Sequence, residues 1–228
     1  MVVRGFNQRH GIDYFDTYAP VARIATIRVL IALVVIQQLV IHQIDVKTAF
    51  LNGGLEEELY MKQPEGFVIP GQKKESMQTQ EKKVCKLIRS LYGLKQAPKQ
   101  WHQKFDELVL SFGFRVNEFD KYVYSKFEHE KDVIICLYVD DMLIFGTDLE
   151  EREKTKCFSS SKFSMKDMKE ADVILGIKII RNNDSISISK SHYIEKVLWR
   201  FNYKDCSPVA TPFDPTYKLT RNSGRPIA

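Results

Sequence analysis

Scarcity excludes several classes of protein at once. The four cysteines, Cys85, Cys136, Cys157 and Cys206, lie at least twenty residues apart among 228 residues. That spacing suits neither a zinc site nor a disulfide framework, so reduced and mostly structural thiols are expected. The five histidines are equally scattered, and no metal is expected on nitrogen or sulfur. The longest apolar run, residues 29–36, has eight residues and is bracketed by Arg28 and Gln37-Gln38. A bilayer-spanning helix needs about 20, so no membrane segment is expected. Met1 is followed by Val-Val-Arg-Gly-Phe, with no basic stretch leading into an apolar one; no secretory leader is expected, and an intracellular location is. Internal repeats and low-complexity tracts are absent.

What is there is ordinary globular material. Hydrophobic residues make up 44% and charged residues 28%, enough for a real core, and the length suits one large domain or two small ones sharing an interface. The net charge is +5, but its distribution is uneven. Residues 70–104 carry nine lysines and arginines (Lys73, Lys74, Lys82, Lys83, Lys86, Arg89, Lys95, Lys99, Lys104) against two glutamates, or +7, which leaves −2 for the rest. Such a concentration suits a polyanion-binding face; for residues 72–83 a solvated loop fits equally well.

Apolar periodicity organises the chain. Ile24, Ile27, Leu30, Ile31, Val34 and Val35 predict a helix over residues 23–38 with one buried face. β-branched residues over 39–46 predict a strand ending at Asp45. Pro98 suits the first turn of a helix whose stripe is Trp101, Phe105, Leu108 and Phe112, closed by Gly113; Trp101 belongs more naturally to that core stripe than to a base-stacking platform. Residues 122–127, 133–139 and 142–145 read as strands, with Asp140-Asp141 as a hairpin turn. Thr147 with Glu150 has the form of a capping box opening a helix through about residue 158. Residues 173–180 and 186–188 flank the turn-rich Asn182-Asn183-Asp184 and predict a hairpin. A last helix over 191–201 precedes an extended, proline-bearing tail over 206–228.

The sharpest chemical signal is Tyr138-Val139-Asp140-Asp141, flanked on both sides by apolar strand residues. Adjacent carboxylates raise each other's pKa unless cations lie between them, so an acidic doublet at a buried hairpin suggests divalent metal. Oxygen-only ligation favours magnesium or manganese. Asp45, at the end of a separate strand, can join the doublet in one sheet. Three carboxylates then hold two ions, which activate an attacking hydroxyl and stabilise the departing oxygen of an in-line phosphoryl transfer. Acidic turns are more commonly plain solvated turns.

Three further segments bear on this. Asp45-Val46-Lys47-Thr48-Ala49-Phe50-Leu51-Asn52-Gly53, then Ser90-Leu91-Tyr92-Gly93-Leu94-Lys95-Gln96-Ala97-Pro98 with Trp101, then Tyr138-Val139-Asp140-Asp141-Met142 resemble, in order and wording, the polymerase motifs of copia-type LTR retrotransposon reverse transcriptases. Phe15-Asp16-Thr17-Tyr18-Ala19-Pro20-Val21-Ala22-Arg23 and Leu175-Gly176-Ile177-Lys178-Ile179 extend the resemblance over nearly the whole chain.

The resemblance implies an α+β right-hand polymerase in which an antiparallel sheet packs on helices. Residues 1–205 would be the reverse transcriptase domain: 1–38 and 53–90 partial fingers, 39–52 and 91–180 mainly palm, 181–205 the start of a thumb or connection. It would copy RNA or DNA with deoxynucleotides and two Mg²⁺ ions, for which Mn²⁺ can substitute. Asp45 and Asp140 would be the main metal ligands, Asp141 the third carboxylate, with the Val46 backbone beside them. Asp140 and Asp141 cannot be equivalent, since neighbouring strand residues point to opposite faces. Phe50 would lie under the incoming sugar and exclude a 2′-hydroxyl, where otherwise it would be an ordinary core phenylalanine. Arg4 would contact the triphosphate with a guanidinium fork suited to phosphate oxygens. Residues 91–98 occupy the place of a Leu-Pro-Gln-Gly loop in many relatives. The wording differs, and either Tyr92 or Gln96 takes the glutamine's role. Gly93 would let backbone approach the nucleotide, while Lys95, Lys99 and Tyr138 would meet nucleic acid.

By the same resemblance the chain starts inside the fingers, whose upstream strands carry a further triphosphate-binding lysine, and residues 2–6 should be a strand without its hairpin partner. RNase H and integrase parts would belong to the intact polyprotein, working in a cytoplasmic virus-like particle with the nucleus as a further location. Three readings stay open: RNA-directed DNA polymerase, probed by primer extension; a catalytically silent nucleic-acid-binding remnant of the same fold; and another two-metal phosphoryl enzyme such as a nuclease, which leaves the Phe50 and Gly93 segments unexplained.

Overall fold

A computed structural model describes residues 2–19, 21–64, 84–128, 131–182 and 185–207. The chain runs through α1 (Ile24–Ile36), β1 (Val40–Val46), β2 (Tyr60–Lys62), β3 (Val84–Lys86), α2 (Ala97–Ser111), β4 (Arg115–Val116), β5 (Val123–Glu128), β6 (Lys131–Tyr138), β7 (Asp141–Gly146), α3 (Leu149–Lys162), β8 (Met165–Glu170), β9 (Val173–Ile174), β10 (Ile177–Arg181), β11 (Ile186–Ser189) and α4 (Ser191–Arg200). Short 3₁₀ turns at Gly5–Asn7 and Ala49–Asn52 complete it. Helices and antiparallel sheets make an α+β fold, as expected.

Six strands form one sheet in the order β4-β5-β6-β7-β1-β8, with every neighbouring pair antiparallel. The crossover that matters inserts β1 between β7 and β8, so residues nearly one hundred positions apart become cross-strand neighbours. The insertion has a hydrophobic cause. Ile41, Ile44 and Val46 of β1 are buried, as are Met142 to Gly146 of β7, and strands this apolar are stable only between neighbours. Ile27, Leu30, Ile31 and Val34 of α1 and Trp101, Phe105 and Val109 of α2 close over the same core. A boundary at residue 38 therefore does not coincide with a break in packing: α1 and β1 share one core.

The N-terminus of α1 is capped from far along the chain. Asp120, only 8% exposed, accepts from the Arg23 amide at 3.1 Å and from the Thr26 hydroxyl at 2.7 Å. A buried carboxylate satisfying the first turn of a helix supplies what no residue of the helix's own N-terminus does.

Five local expectations differ from the structure. The hairpin turn between β6 and β7 is Val139-Asp140, because Tyr138 pairs with Asp141 and Asp141 already opens β7. α3 is capped by Asp148, whose carboxylate accepts from the Glu151 amide at 2.9 Å, and runs four residues past the expected end at 158. Asp148 wins because Glu150 and Glu151 then fill the helix's electropositive first turn. Residues 2–6 form no strand; their backbone enters the 3₁₀ turn at Gly5–Asn7. β8, with the sequence MKDMKE, has no apolar alternation and is mostly exposed, yet pairs with β1 along its length. The single strand expected over 173–180 is instead two, β9 and β10, paired antiparallel across a turn at Leu175-Gly176 where both residues have positive φ; the pairing of β10 with β11 and the position of α4 are as expected. Residues 72–83 and most of the tail from 206 onward fall outside the described residues.

Candidate active site

The site forms where β1 ends and the β6–β7 hairpin turns. Asp45 stands directly opposite Asp141 in the β1–β7 register, which puts their side chains on one face of the sheet. Asp140 occupies the turn, and its carbonyl accepts from the Val46 amide at 2.8 Å. Thus the backbone brings residues 45 and 140–141 together at one sheet end.

Each carboxylate has a different environment. Asp141 is held by the Gln43 side-chain amide at 2.9 Å. Asp140 accepts from the Tyr92 hydroxyl at 3.3 Å, while its other oxygen, Oδ1, is buried without a partner. Burial raises the Asp140 pKa, and the charges of Asp45 and Asp141 push it the same way, against the lowering effect of the Tyr92 hydrogen bond. Tyr92 shifts upward in turn, from burial and from the Asp140 charge. Along the other edge of β1, Asp45 opposes Lys166 of β8.

Among the described residues no three His, Cys, Asp or Glu side chains form a ready-made metal cluster. Asp141 is turned toward Gln43 and Asp140 toward Tyr92. The donor set nevertheless suits a hard divalent cation: it consists of carboxylate oxygens, and one of them is buried and lacks any donor.

Aromatic packing joins the carboxylates to the loop before α2. After β1, Thr48 adopts a left-handed conformation (φ 52, ψ 46), which swings Ala49–Asn52 into a 3₁₀ turn. Phe50 thereby meets Tyr92 with ring centroids 4.6 Å apart. Phe50 packs against both the main core and a smaller cluster of Leu59, Leu94 and Ala97, so gate and core positions are not exclusive. Tyr138 is half-buried and packs on the main core.

Of Tyr92 and Gln96, Tyr92 is the one that touches a site carboxylate. Gln96 is 1% exposed; its amide donates to the Asp13 carbonyl at 3.0 Å and accepts from Gln8 at 3.0 Å. It is a buried strut for the N-terminal segment, away from the carboxylates' hydrogen bonds, because a primary amide satisfies several strands of backbone and side chain at once.

Gly93 also has an unexpected neighbour. Its φ is +96, and a Cβ there would collide with the Val3 carbonyl; a Cβ on Gly5 would collide with the Gly93 carbonyl. The close approach is made by the chain's own residues 3–5, tied by the Val3 amide to the Tyr92 carbonyl at 2.8 Å. Arg4 follows that hydrogen bond, exposed, and among the described residues its side chain has no hydrogen bond or ion pair.

Both expected phosphate-contacting lysines are engaged within the chain. Lys95 reaches the Gln8 carbonyl at 3.3 Å and the Tyr14 hydroxyl at 3.2 Å, with its ammonium over the Tyr14 ring. Lys99 pairs with Asp16 at 2.9 Å, which raises the lysine's pKa. Lys86 and Lys104 pair with Glu58 and Glu107. The +7 stretch is therefore partly neutralised by acidic residues outside it, which a window count cannot register.

Sequence reading missed Gln43, Lys166 and the docking of residues 3–16. Gln43 alone had a usable signal: in a strand, i and i+2 share a face, so Gln43 had to lie beside Asp45.

Comparison with known proteins agrees with the motifs. A family model described as reverse transcriptase (RNA-dependent DNA polymerase) matches residues 1–215. The chain is 46% identical over 224 residues to the retrovirus-related Pol polyprotein from transposon TNT 1-94 of Nicotiana tabacum, covering 97% of this chain and 16% of that protein. Identity is 36% to the retrovirus-related Pol polyprotein from transposon RE1 of Arabidopsis thaliana, over 98% of this chain and 15% of the relative. The chain thus spans about one sixth of these curated relatives. No solved structure matches it. With motif order, sheet register and these similarities in agreement, the chain belongs to the reverse transcriptase family, in its copia-type retrotransposon branch.

Proposed function

We propose that this chain is the catalytic core of an RNA-directed DNA polymerase, transferring nucleotides from dNTPs to a primer 3′-hydroxyl. The observation that carries it is the register placing Asp45 opposite Asp141, with the Val46 amide on the Asp140 carbonyl. In this reading the six-stranded sheet with α1, α2 and α3 is the palm. Residues 2–16 with β2 and β3 belong to the fingers, and β9–β11 with α4 begin the thumb.

Asp45, Asp140 and Asp141, with the Val46 backbone, would hold two Mg²⁺ ions, which would acidify the attacking hydroxyl and stabilise the pyrophosphate that leaves. The protein's own contribution is positional. Gln43 and Tyr92 orient the flanking carboxylates, Phe50, its ring tilted against Tyr92, forms an apolar floor beneath the deoxyribose, and Arg4 faces the triphosphate. Lys99 reaches nucleic acid by exchanging its exposed partner Asp16 for phosphate, since exposed ion pairs contribute little, and Lys95 by leaving the Gln8 carbonyl and the Tyr14 hydroxyl. The template-primer, the dNTP, and RNase H and integrase regions of a polyprotein are the partners.

The test is primer extension. A longer Pol chain containing these residues should extend a primed RNA with dNTPs and Mg²⁺, and Asp140→Asn should abolish extension without loss of folding, because it removes a charge from a repulsive, buried setting. A folded Asp140→Asn variant with full activity would refute the assignment. An inactive wild type that still binds template-primer would favour the silent remnant.

A further inference from the structure

The β6–β7 turn is held in a conformation its own residue disfavours. Val139 occupies the first position of the two-residue loop with φ 56, where a glycine is usual and a β-branched residue is an outlier. Such a conformation persists only where its surroundings impose it. The carbonyl of this residue accepts from the Trp101 indole N–H at 2.8 Å. Trp101 is 2% exposed and wedged against Phe105 and Phe163, with centroids at 5.6 and 5.0 Å, so its N–H has a fixed direction. On the far side of Asp140, the Asp140 carbonyl accepts from the Val46 amide at 2.8 Å. The two peptide groups flanking the Asp140 Cα are therefore tied to different elements, one to α2 and one to β1.

We infer that Trp101 is a positioning residue that holds Val139 in its left-handed conformation and so aims the Asp140 carboxylate. The consequence for catalysis rests on the polymerase reading; the geometry does not. Phenylalanine in its place keeps most of the ring packing and loses the donor.

Hydrogen exchange on the 228-residue chain tests the inference without activity. Trp101→Phe should speed exchange of the Val46 amide about three- to tenfold, as loss of one buried hydrogen bond allows, while amides in the middle of β6 and β7 stay protected. Adding Val139→Gly should restore the Val46 protection, because glycine adopts positive φ without strain. In a longer chain that extends primers, Trp101→Phe should lower kcat at saturating dNTP with little change in KM, and Val139→Gly should return part of it. An unchanged Val46 amide in Trp101→Phe, or deprotection spread evenly over β6 and β7 and not reversed by glycine, would overturn the inference. If Trp101→Phe does not fold, the wild type decides: the Trp101 indole proton and the Val46 amide should share one opening, with protection within about threefold, and a freely exchanging indole proton would overturn the role. Absence of extension in the wild type would count against the polymerase reading alone.

Discussion

Gly93→Ala perturbs the joint between the N-terminal segment and the candidate site, and its cost can be worked from the geometry. Gly93 has φ +96 and its missing Cβ lies where the Val3 carbonyl passes. Placing an L-residue in left-handed backbone costs about 1–2 kcal/mol. The added methyl cannot coexist with the Val3 carbonyl, so the segment must move. It then forfeits the Val3 amide bond to Tyr92 and the Lys95 amide bond to Gln8, both 2.8 Å, at about 0.5–1.5 kcal/mol each. The sum, about 2–5 kcal/mol, falls on docking of residues 2–16 and spares the core, which holds Ile41, Ile44 and Leu143 elsewhere. Hydrogen exchange should therefore show the Val3 and Lys95 amides losing about thirtyfold or more of their protection, with central β7 amides unchanged. Gly5→Ala attacks the same contact from the other side, so the double variant should cost less than the sum of the singles. If Arg4 serves the triphosphate, KM for dNTP should rise in an extending chain more than kcat falls. Retained protection at Val3 and Lys95 in a folded Gly93→Ala protein would refute the close approach.

Other expectations follow from single contacts. Phe50→Val should raise ribonucleotide incorporation relative to deoxyribonucleotide in an extending chain, since the ring on Tyr92 would no longer fill the 2′ position; unchanged sugar discrimination would leave Phe50 a packing residue. Asp120→Ala removes the acceptor of the Arg23 amide and the Thr26 hydroxyl and should lower stability by about 2–4 kcal/mol in urea unfolding; a loss below the error of the measurement would deny the cap. Burial pushes the Cys136 thiol up to about 12, whereas Cys157 and Cys206 are exposed. A thiol reagent at neutral pH should modify the latter pair in the native protein and reach Cys136 only on unfolding, which mass mapping would check.

By itself the sequence determined the elements whose signal is local: α1 and α2 from 3.6-residue periodicity, β1 and β7 from β-branched and apolar runs, and the Asp140-Asp141 doublet from its improbability among apolar neighbours. It also identified Asp45 as a partner, through the wording of the surrounding motif. Local patterns carry these because they arise from one segment burying one face. Tertiary structure decided what depends on pairing across the chain. β8 has no apolar alternation and becomes a strand because β1 offers it an unpaired edge. Gln96 is inside and Tyr92 at the carboxylate because residues 3–16 fold back over the loop, and Lys95 and Lys99 spend their charge on that same segment. Val139 bends against its own preference because an indole thirty-eight residues earlier takes its carbonyl. Composition and spacing register none of these, since each exists only once two distant segments have paid their ordering entropy together and lie side by side.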